Sequence, residues 1–358
     1  MASIQFSPFT AIFENKAAGS IITGSPGSGK SFFLLNLLAN ACLTSQRIFA
    51  IDPKNDLGIL SDIFPEVNYI DINNIQPGGL NPFIAIDNLD TSTLVSIIST
   101  ICGGLDNKQI VAITPIVNDF IIRNNRYSDI PSFADVANYL YANDNEEAQA
   151  IGTTLKMNED SKYGALLFGR SKEALKFSNT SQIISLLGMD LPKVNDSNYN
   201  QEQKFNSGIV FILCKILRNL LTNNKYPTLM CLDEAHIAFQ NQAFQTIINE
   251  FLILGRSLNV ATLLASQNVT HFPDSIAQLI SSRFCFKSSN NEAREFLNLF
   301  NNETSENASD YNSIISAIGD FETGTCFYID SCNRSGIFHV TSNLGNDITS
   351  NPLFKKHK

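Results

Sequence analysis

No Cys-x-x-Cys pair occurs among the seven cysteines of this 358-residue chain. Cys42, Cys102, Cys214, Cys231, Cys285, Cys326 and Cys332 sit mostly inside apolar runs such as Phe211-Ile212-Leu213-Cys214. That is the pattern of buried thiols in a reducing compartment, not of a disulfide scaffold. The four histidines, His236, His271, His339 and His357, are scattered and form no metal-ligand spacing. The amino-terminal stretch Met1-Ala2-Ser3-Ile4-Gln5-Phe6 lacks the basic start and long apolar core of a signal peptide. Long apolar runs are missing too: the stretch from Ile209 to Cys214 stops at Lys215, far short of a bilayer span. Positive charge is scarce, with 25 Lys and Arg against 34 Asp and Glu and a net charge of −9. This argues against broad, salt-driven adhesion to DNA or acidic lipid and leaves room only for a local basic pore. What remains is a globular chain, 44% apolar, long enough for one large α/β domain or two smaller ones.

The octapeptide Gly24-Ser25-Pro26-Gly27-Ser28-Gly29-Lys30-Ser31 fits G-x-x-x-x-G-K-[ST] at every fixed position. Chance matches to this pattern are common, so its surroundings decide. Here Ser20-Ile21-Ile22-Thr23 reads as an incoming strand, and Phe32-Phe33-Leu34-Leu35-Asn36-Leu37-Leu38 as part of an outgoing buried helix, from about Lys30 to Ala41. Strand, loop and helix in this order make a phosphate-binding loop. Its glycines let backbone N–H groups curl around the β- and γ-phosphates of a nucleoside triphosphate, Lys30 reaches their charge, and the Ser31 hydroxyl ligates Mg²⁺. The helix contributes its positive dipole end, and the nucleotide-binding set is taken to run from Gly24 through Phe32.

Strands and helices alternate over residues 1–90: Ser20 to Thr23, the loop helix, Arg47 to Ile51, a short helix near Leu57 to Phe64, and Val67 to Ile72. Such alternation specifies a parallel sheet with helices on its faces. Over residues 91–176 the strand signal gives way to helical periodicity near Thr93 to Cys102, Gln109 to Ile122, Phe133 to Tyr141 and Glu146 to Lys156. This reads as an all-α insertion, either a packing cap or a lever that moves with the nucleotide cycle. The sheet pattern resumes over residues 177–358. Strands are expected at Gln182 to Leu186, Thr228 to Leu232, Val260 to Ala265, near Arg283 to Lys287, at Thr325 to Ile329 and at Gly336 to Val340. Helices are expected over Gln203 to Leu221, up to about Gly255, and near Asn291 to Phe300. The polar stretches Asn195 to Asn200 and Asn301 to Asn312 read as solvated turns.

The run Thr228-Leu229-Met230-Cys231-Leu232-Asp233-Glu234 is an apolar strand ending in two carboxylates. Asp233 is placed to hold Mg²⁺ beside Ser31, and Glu234 to orient or deprotonate an attacking water. Asp233-Glu234-Ala235-His236 spells a helicase box, yet the paired-arginine helicase segment is missing, so His236 is read as a helix-start residue. Gln267, at the tip of the next strand, can sense a γ-phosphate by hydrogen bonding. Arg256 ends the intervening helix, where it can serve as an arginine finger in a neighbour's site or simply as a cation at a helix carboxyl end. Asp52 and Lys54 end a strand taken to lie beside the phosphate loop. Lining the pocket and forming an ordinary turn at Pro53 both fit them.

In order, these features resemble the HerA–FtsK superfamily of P-loop motors, and within it the ATPases of conjugative transfer and type IV secretion. The resemblance rests on Gly24 to Ser31, Ile51-Asp52-Pro53-Lys54, Asn81-Pro82-Phe83, the helical insertion, Leu232-Asp233-Glu234-Ala235, and Gly255-Arg256-Ser257 followed by Ser266-Gln267. It implies a RecA-like P-loop NTPase with a mostly parallel central sheet flanked by helices. It also implies an ATP- and Mg²⁺-dependent ring, typically a homo-hexamer, in which Arg256 completes the adjacent subunit's site. The expected role is a motor that energises a conjugation-type secretion or DNA-transfer machine docked on a membrane-embedded complex. The expected location is cytoplasmic, peripheral at the inner face of the cell membrane. A DNA translocase or genome packager, which would bind DNA directly, is the first alternative, and a slow nucleotide-gated assembly module the second. Relatives carry a large amino-terminal docking domain not visible here, so the chain reads as a carboxyl-terminal motor half.

Overall fold

Short runs of β-branched and aliphatic residues, each bounded by a turn, build one nine-stranded sheet. The computed structural model describes residues 6–342 apart from 15, 125–129, 172–174, 176–180, 193–198, 223–225, 240–241 and 301–307. In chain order the strands are β1 (Gly19–Thr23), β2 (Arg47–Asp52), β3 (Val67–Asp71), β4 (Ser181–Ser185), β5 (Thr228–Leu232), β6 (Val260–Ser266), β7 (Ile280–Phe286), β8 (Thr325–Ile329) and β9 (Ser335–His339). They lie in the order β3-β4-β2-β5-β6-β1-β7-β8-β9. All pairings from β3 to β7 are parallel, and β8 and β9 close one side as an antiparallel hairpin. The mostly parallel α/β fold expected from the alternation is the one observed.

Both sheet faces are covered, which is why the central strands read as unbroken apolar runs. Side-chain alternation sorts them into two cores. Ile22, Ile48, Ala50, Leu229 and Cys231 face the phosphate-loop helix, Lys30–Leu43, while Ile21, Phe49, Ile51, Met230 and Leu232 face the opposite layer. That second layer holds the long helix Gln201–Thr222 and the helices between β3 and β4. Those are Thr91–Ile101, Asn107–Asn124, Phe133–Tyr141, Glu146–Lys156 and Gly164–Phe168, with the short Pro82–Ala85 before them. Their starts are set locally: Asp90 accepts from the Thr93 N–H at 2.7 Å, Asn145 from Ala148 at 3.1 Å, and Ser132 and Asp135 form a capping box. Thr91–Ile101 packs on Gln201–Thr222, and their apolar residues share one core with the sheet.

Two expectations change. Residues 308–312, expected in a solvated turn, begin the helix Ala308–Gly319, because Ile315 and Ile318 bury one face of it against the core. Helical spacing of apolar residues there outweighs the Asn- and Ser-rich composition; residues 301–307 and 195–198 of the two expected turns lie outside the described residues. Second, β2 does not lie beside the phosphate-loop strand. It pairs with β4 and β5, and β5 and β6 stand between it and β1. Asp52 and Lys54 therefore emerge next to the carboxylate strand. No helix among the described residues is long and apolar enough to cross a membrane.

Candidate active site

The parallel strands end on one edge of the sheet, and that edge gathers the loops leaving β1, β2, β5 and β6. Because β8 runs the other way, its entry at Gly324 reaches the same edge. An open cleft of about 470 Å³ there is lined by Ser25, Pro26, Gly27, Gly29, Lys30, Ser31, Lys54, Asp56, Asp233, Glu234, Gln267 and Thr323.

The phosphate loop is fastened from behind. Gly24 N–H donates to the Gln267 carbonyl at 3.3 Å and Ser25 N–H to the Lys287 carbonyl at 2.8 Å. From the hairpin side, Gly324 N–H donates to the Ser28 carbonyl at 2.9 Å and the Thr323 hydroxyl to the Gly27 carbonyl at 3.2 Å. Gly29 has φ +103° and passes so close to Gly324 that a Cβ on it would lie 2.8 Å from the Gly324 nitrogen. Gly27 also has positive φ, +75°, but faces open space. Lys30 Nζ donates to the Gly24 carbonyl and, at 3.4 Å, to that of Ser25; burial lowers its pKa, while the carboxylates of Asp233 and Glu234 act against the shift. Ser28 is buried with its Oγ unpartnered, a spare hydroxyl inside the loop. Phe32 is buried in the helix and does not line the cleft.

Asp233 and Glu234 leave β5 at an unusual bend. Asp233 N–H continues the ladder to the Ile51 carbonyl of β2 at 3.2 Å, whereas Ala235 N–H donates to the Ala265 carbonyl of β6 at 2.7 Å. The chain must cross from one neighbour to the other within a single residue. Glu234 absorbs the change at φ +52°, a left-handed conformation uncommon for a branched-free carboxylate residue and characteristic of functional sites. Asp233 is buried, and that burial, reinforced by the charges of Glu234 and Asp52, pushes its pKa up to about 7. A cation at this carboxylate would relieve the cost. Glu234 behaves oppositely: burial would raise its pKa, but hydrogen bonds from His236 and Lys54 and the Lys54 charge hold it at about 2. One oxygen takes Lys54 Nζ and, at 3.3 Å, Gln267 Nε2; the other lies 3.3 Å from His236 Nδ1. His236 does begin a helix, as expected, and it also lies against Glu234 and stands 5.4 Å from the ring of His271, which contacts the Ser266 hydroxyl.

The Pro53 turn and the pocket turn out to be one feature. The buried Asp52 carboxylate accepts the N–H groups of Lys54 and Asp56 at 3.2 Å each and of Leu57 at 2.7 Å. That turn sends Lys54 to Glu234 and Asp56 to the Ser31 hydroxyl at 3.4 Å. Asp56 and Thr323 were not anticipated. The Asp-Pro turn held a signal for Asp56, four residues past Asp52; Thr323 comes from the far end of the chain and had none.

Arg256 is exposed and does not line this cleft. The helix Gln242–Leu258 runs back against the strands, so Arg256 sits where β6 begins, at the opposite edge of the sheet. A strand's length, about 20 Å at ~3.3 Å per residue, separates the two edges.

A family profile described as an AAA-like domain matches residues 13–344. Protein YddE of Bacillus subtilis (strain 168), described as uncharacterized, is 24% identical over 295 residues, which cover 74% of this chain and 35% of that protein. The chain thus spans about a third of the length of this curated relative. Among solved structures, VirB4 of Thermoanaerobacter pseudethanolicus superposes with a TM-score of 0.72 at 15% identity, over 93% of this chain and 91% of that one. The bacterial conjugative coupling protein TrwBΔN70 gives 0.61 at 12% identity, over 91% and 85%. At these identities the likeness is one of fold.

Proposed function

The chain belongs to the AAA-like domain family, and on that premise we propose that it binds and hydrolyses ATP as the motor of a conjugation-type secretion or DNA-transfer machine. The observation that carries this reading is the convergence on one cleft of Lys30, Ser31, Asp233, Glu234 and Gln267, which come from three separate strand ends. A phosphate loop alone suits kinases and switches as well as motors. An ionised carboxylate and an amide facing the same cleft suit hydrolysis.

Lys30 and the loop N–H groups receive the β- and γ-phosphates, and the open space at Gly27 fits an anion there. Ser31 and Asp233, two hard oxygen donors at the mouth of the loop, would hold Mg²⁺. When bound, that ion neutralises charge on the phosphate oxygens. Glu234, kept ionised at neutral pH, accepts a proton from the attacking water or orients it, and Gln267 reports on the γ-phosphate by hydrogen bonding.

Glu234→Gln tests the reading. ATP binding should persist while turnover falls by about 10²–10⁴-fold, the usual contribution of a general base; a variant that still turns over within a few fold of wild type would make the chain a slow nucleotide-gated module. Arg256 stands at the opposite edge of the sheet from its own cleft, which supports the reading that it acts as an arginine finger in the adjacent subunit of a homo-oligomeric ring. Mixing Lys30→Ala with Arg256→Ala subunits should restore part of the lost hydrolysis, and no recovery at any ratio would sink the trans arrangement. Support for the secretion setting comes from the VirB4 and TrwB fold likeness; ATPase activity that rises steeply with added duplex DNA would favour the translocase instead.

A further inference from the structure

Two lysines face the proposed ATP cleft, and they are engaged differently. Lys30 bonds two backbone carbonyls of its own loop, whereas Lys54 is ion-paired with Glu234. The Lys54 backbone is fixed, since its N–H is held by the buried Asp52 carboxylate at 3.2 Å. Its side chain is not similarly confined: it is 49% exposed, against 6% for Glu234. The anchored partner is the carboxylate, and the movable one is the ammonium on its four-carbon stem.

We propose that Lys54 is a γ-phosphate-sensing positioning residue, which holds Glu234 through an oxygen that the attacking water needs and is drawn off it by the terminal phosphate of a triphosphate. The inference rests on the ATPase reading above and adds a control element to it. Three features of the geometry carry it. The Glu234 oxygen that takes Lys54 also takes Gln267 Nε2 at 3.3 Å, so it has little capacity left for water while Lys54 remains. When Lys54 leaves, Gln267 still holds the carboxylate in place, and the other oxygen stays buried beside His236. A γ-phosphate, with up to two negative charges, competes well against a single carboxylate for an ammonium that lines the same cleft. The same turn also places Asp56 on the Ser31 hydroxyl at 3.4 Å, so one short loop touches both the base and the hydroxyl expected to meet Mg²⁺. Contact of Lys54 with the base thereby becomes conditional on which nucleotide is present.

The test is calorimetric titration of the full chain with Mg²⁺ and either AMPPNP or ADP, for wild type, Lys54→Met, Glu234→Gln and the double variant. Lys54→Met should weaken AMPPNP by about ten- to a hundredfold, the range for one charge-assisted hydrogen bond, and leave ADP within about threefold. Glu234→Gln, which frees Lys54 from its counter-ion, should tighten AMPPNP by about tenfold where Lys54 is present and lose most of that gain in the Lys54→Met background. Lys54→Arg should restore the preference for AMPPNP over ADP, which a purely structural lysine would not require. Equal loss of both nucleotides in Lys54→Met, or the same gain from Glu234→Gln in both backgrounds, would overturn the inference and leave the ATPase reading standing. A wild-type chain that binds neither nucleotide would overturn both. Thermal melts of all variants identify any that fail to fold, and Lys54→Gln replaces Lys54→Met in that case.

Discussion

Adding one methyl group at Gly29 should damage the phosphate loop far more than adding the same methyl at Gly27, two residues away. Both positions have positive φ, +103° at Gly29 and +75° at Gly27, so alanine is strained at either by about 1–3 kcal/mol. Only at Gly29 does the methyl also meet something. Its Cβ would sit 2.8 Å from the Gly324 nitrogen and 2.9 Å from its Cα, both backbone atoms that cannot rotate away. Relief requires moving either the loop or the hairpin entry, and that entry is itself fixed by the hydrogen bonds from Gly324 to Ser28 and from Val340 to Gly324. Overpacking of this kind costs about 1–3 kcal/mol, so Gly29→Ala should lose roughly 2–6 kcal/mol in total and Gly27→Ala only the strain. Guanidinium unfolding of the three proteins gives the comparison directly, with midpoints expected in the order wild type, Gly27→Ala, Gly29→Ala. Calorimetric titration with AMPPNP should follow the same order. If Gly29→Ala is no less stable than Gly27→Ala, the close passage of the loop against the start of β8 does not constrain position 29.

Two further outcomes follow from buried carboxylates. Asp52→Ala removes one acceptor from three backbone N–H groups and should cost about 2–4 kcal/mol, less than three charge-assisted bonds would suggest because burying the carboxylate is itself unfavourable, as its raised pKa indicates. Hydrogen exchange localises the effect: the amides of Lys54, Asp56 and Leu57 should lose protection, and unchanged protection at all three would contradict the turn as drawn. Asp330 sits at the β8–β9 turn, where burial pushes its carboxyl pKa up but the Arg334 N–H and guanidinium and the Cys332 N–H together pull it below the ordinary 3.8. A carboxyl lowered on folding stabilises fully above the unfolded value and loses that stabilisation as pH falls through the folded one. Asp330→Asn should therefore be less stable than wild type at pH 7, with the gap narrowing below about pH 4; a gap that stays constant or widens in denaturation at pH 7 and pH 3 would refute the assignment.

Most of the sheet was legible because parallel strands buried on both faces carry a strong, uninterrupted apolar signal. Thr228–Leu232 and Thr325–Ile329 were bounded correctly to the residue, as were the helices Phe133–Tyr141 and Glu146–Lys156, whose starts are marked by Ser132 and Asn145. The helix Ala308–Gly319 was hidden by its Asn- and Ser-rich approach, and only burial of Ile315 and Ile318 reveals it. Strand order was harder. Nothing local in Arg47–Asp52 says that two strands arriving almost two hundred residues later will come between it and the phosphate-loop strand.

That order is what turns a list of motifs into a site. Had β2 stayed beside β1, Lys54 would have joined Lys30 on the phosphate side, a second cation for the nucleotide and nothing more. Placed beside β5 instead, it meets Glu234 at the point where the chain crosses from β2 to β6. The left-handed turn at Glu234 follows from the same arrangement, because Asp233 belongs to one neighbour's ladder and Ala235 to the other's. A carboxylate at that crossing is reachable from both sides, by Lys54 from β2 and by Gln267 from β6. Local sequence determines which residues stand at each strand end, but long-range pairing determines which of those ends are neighbours, and the chemistry of Glu234 depends on the second.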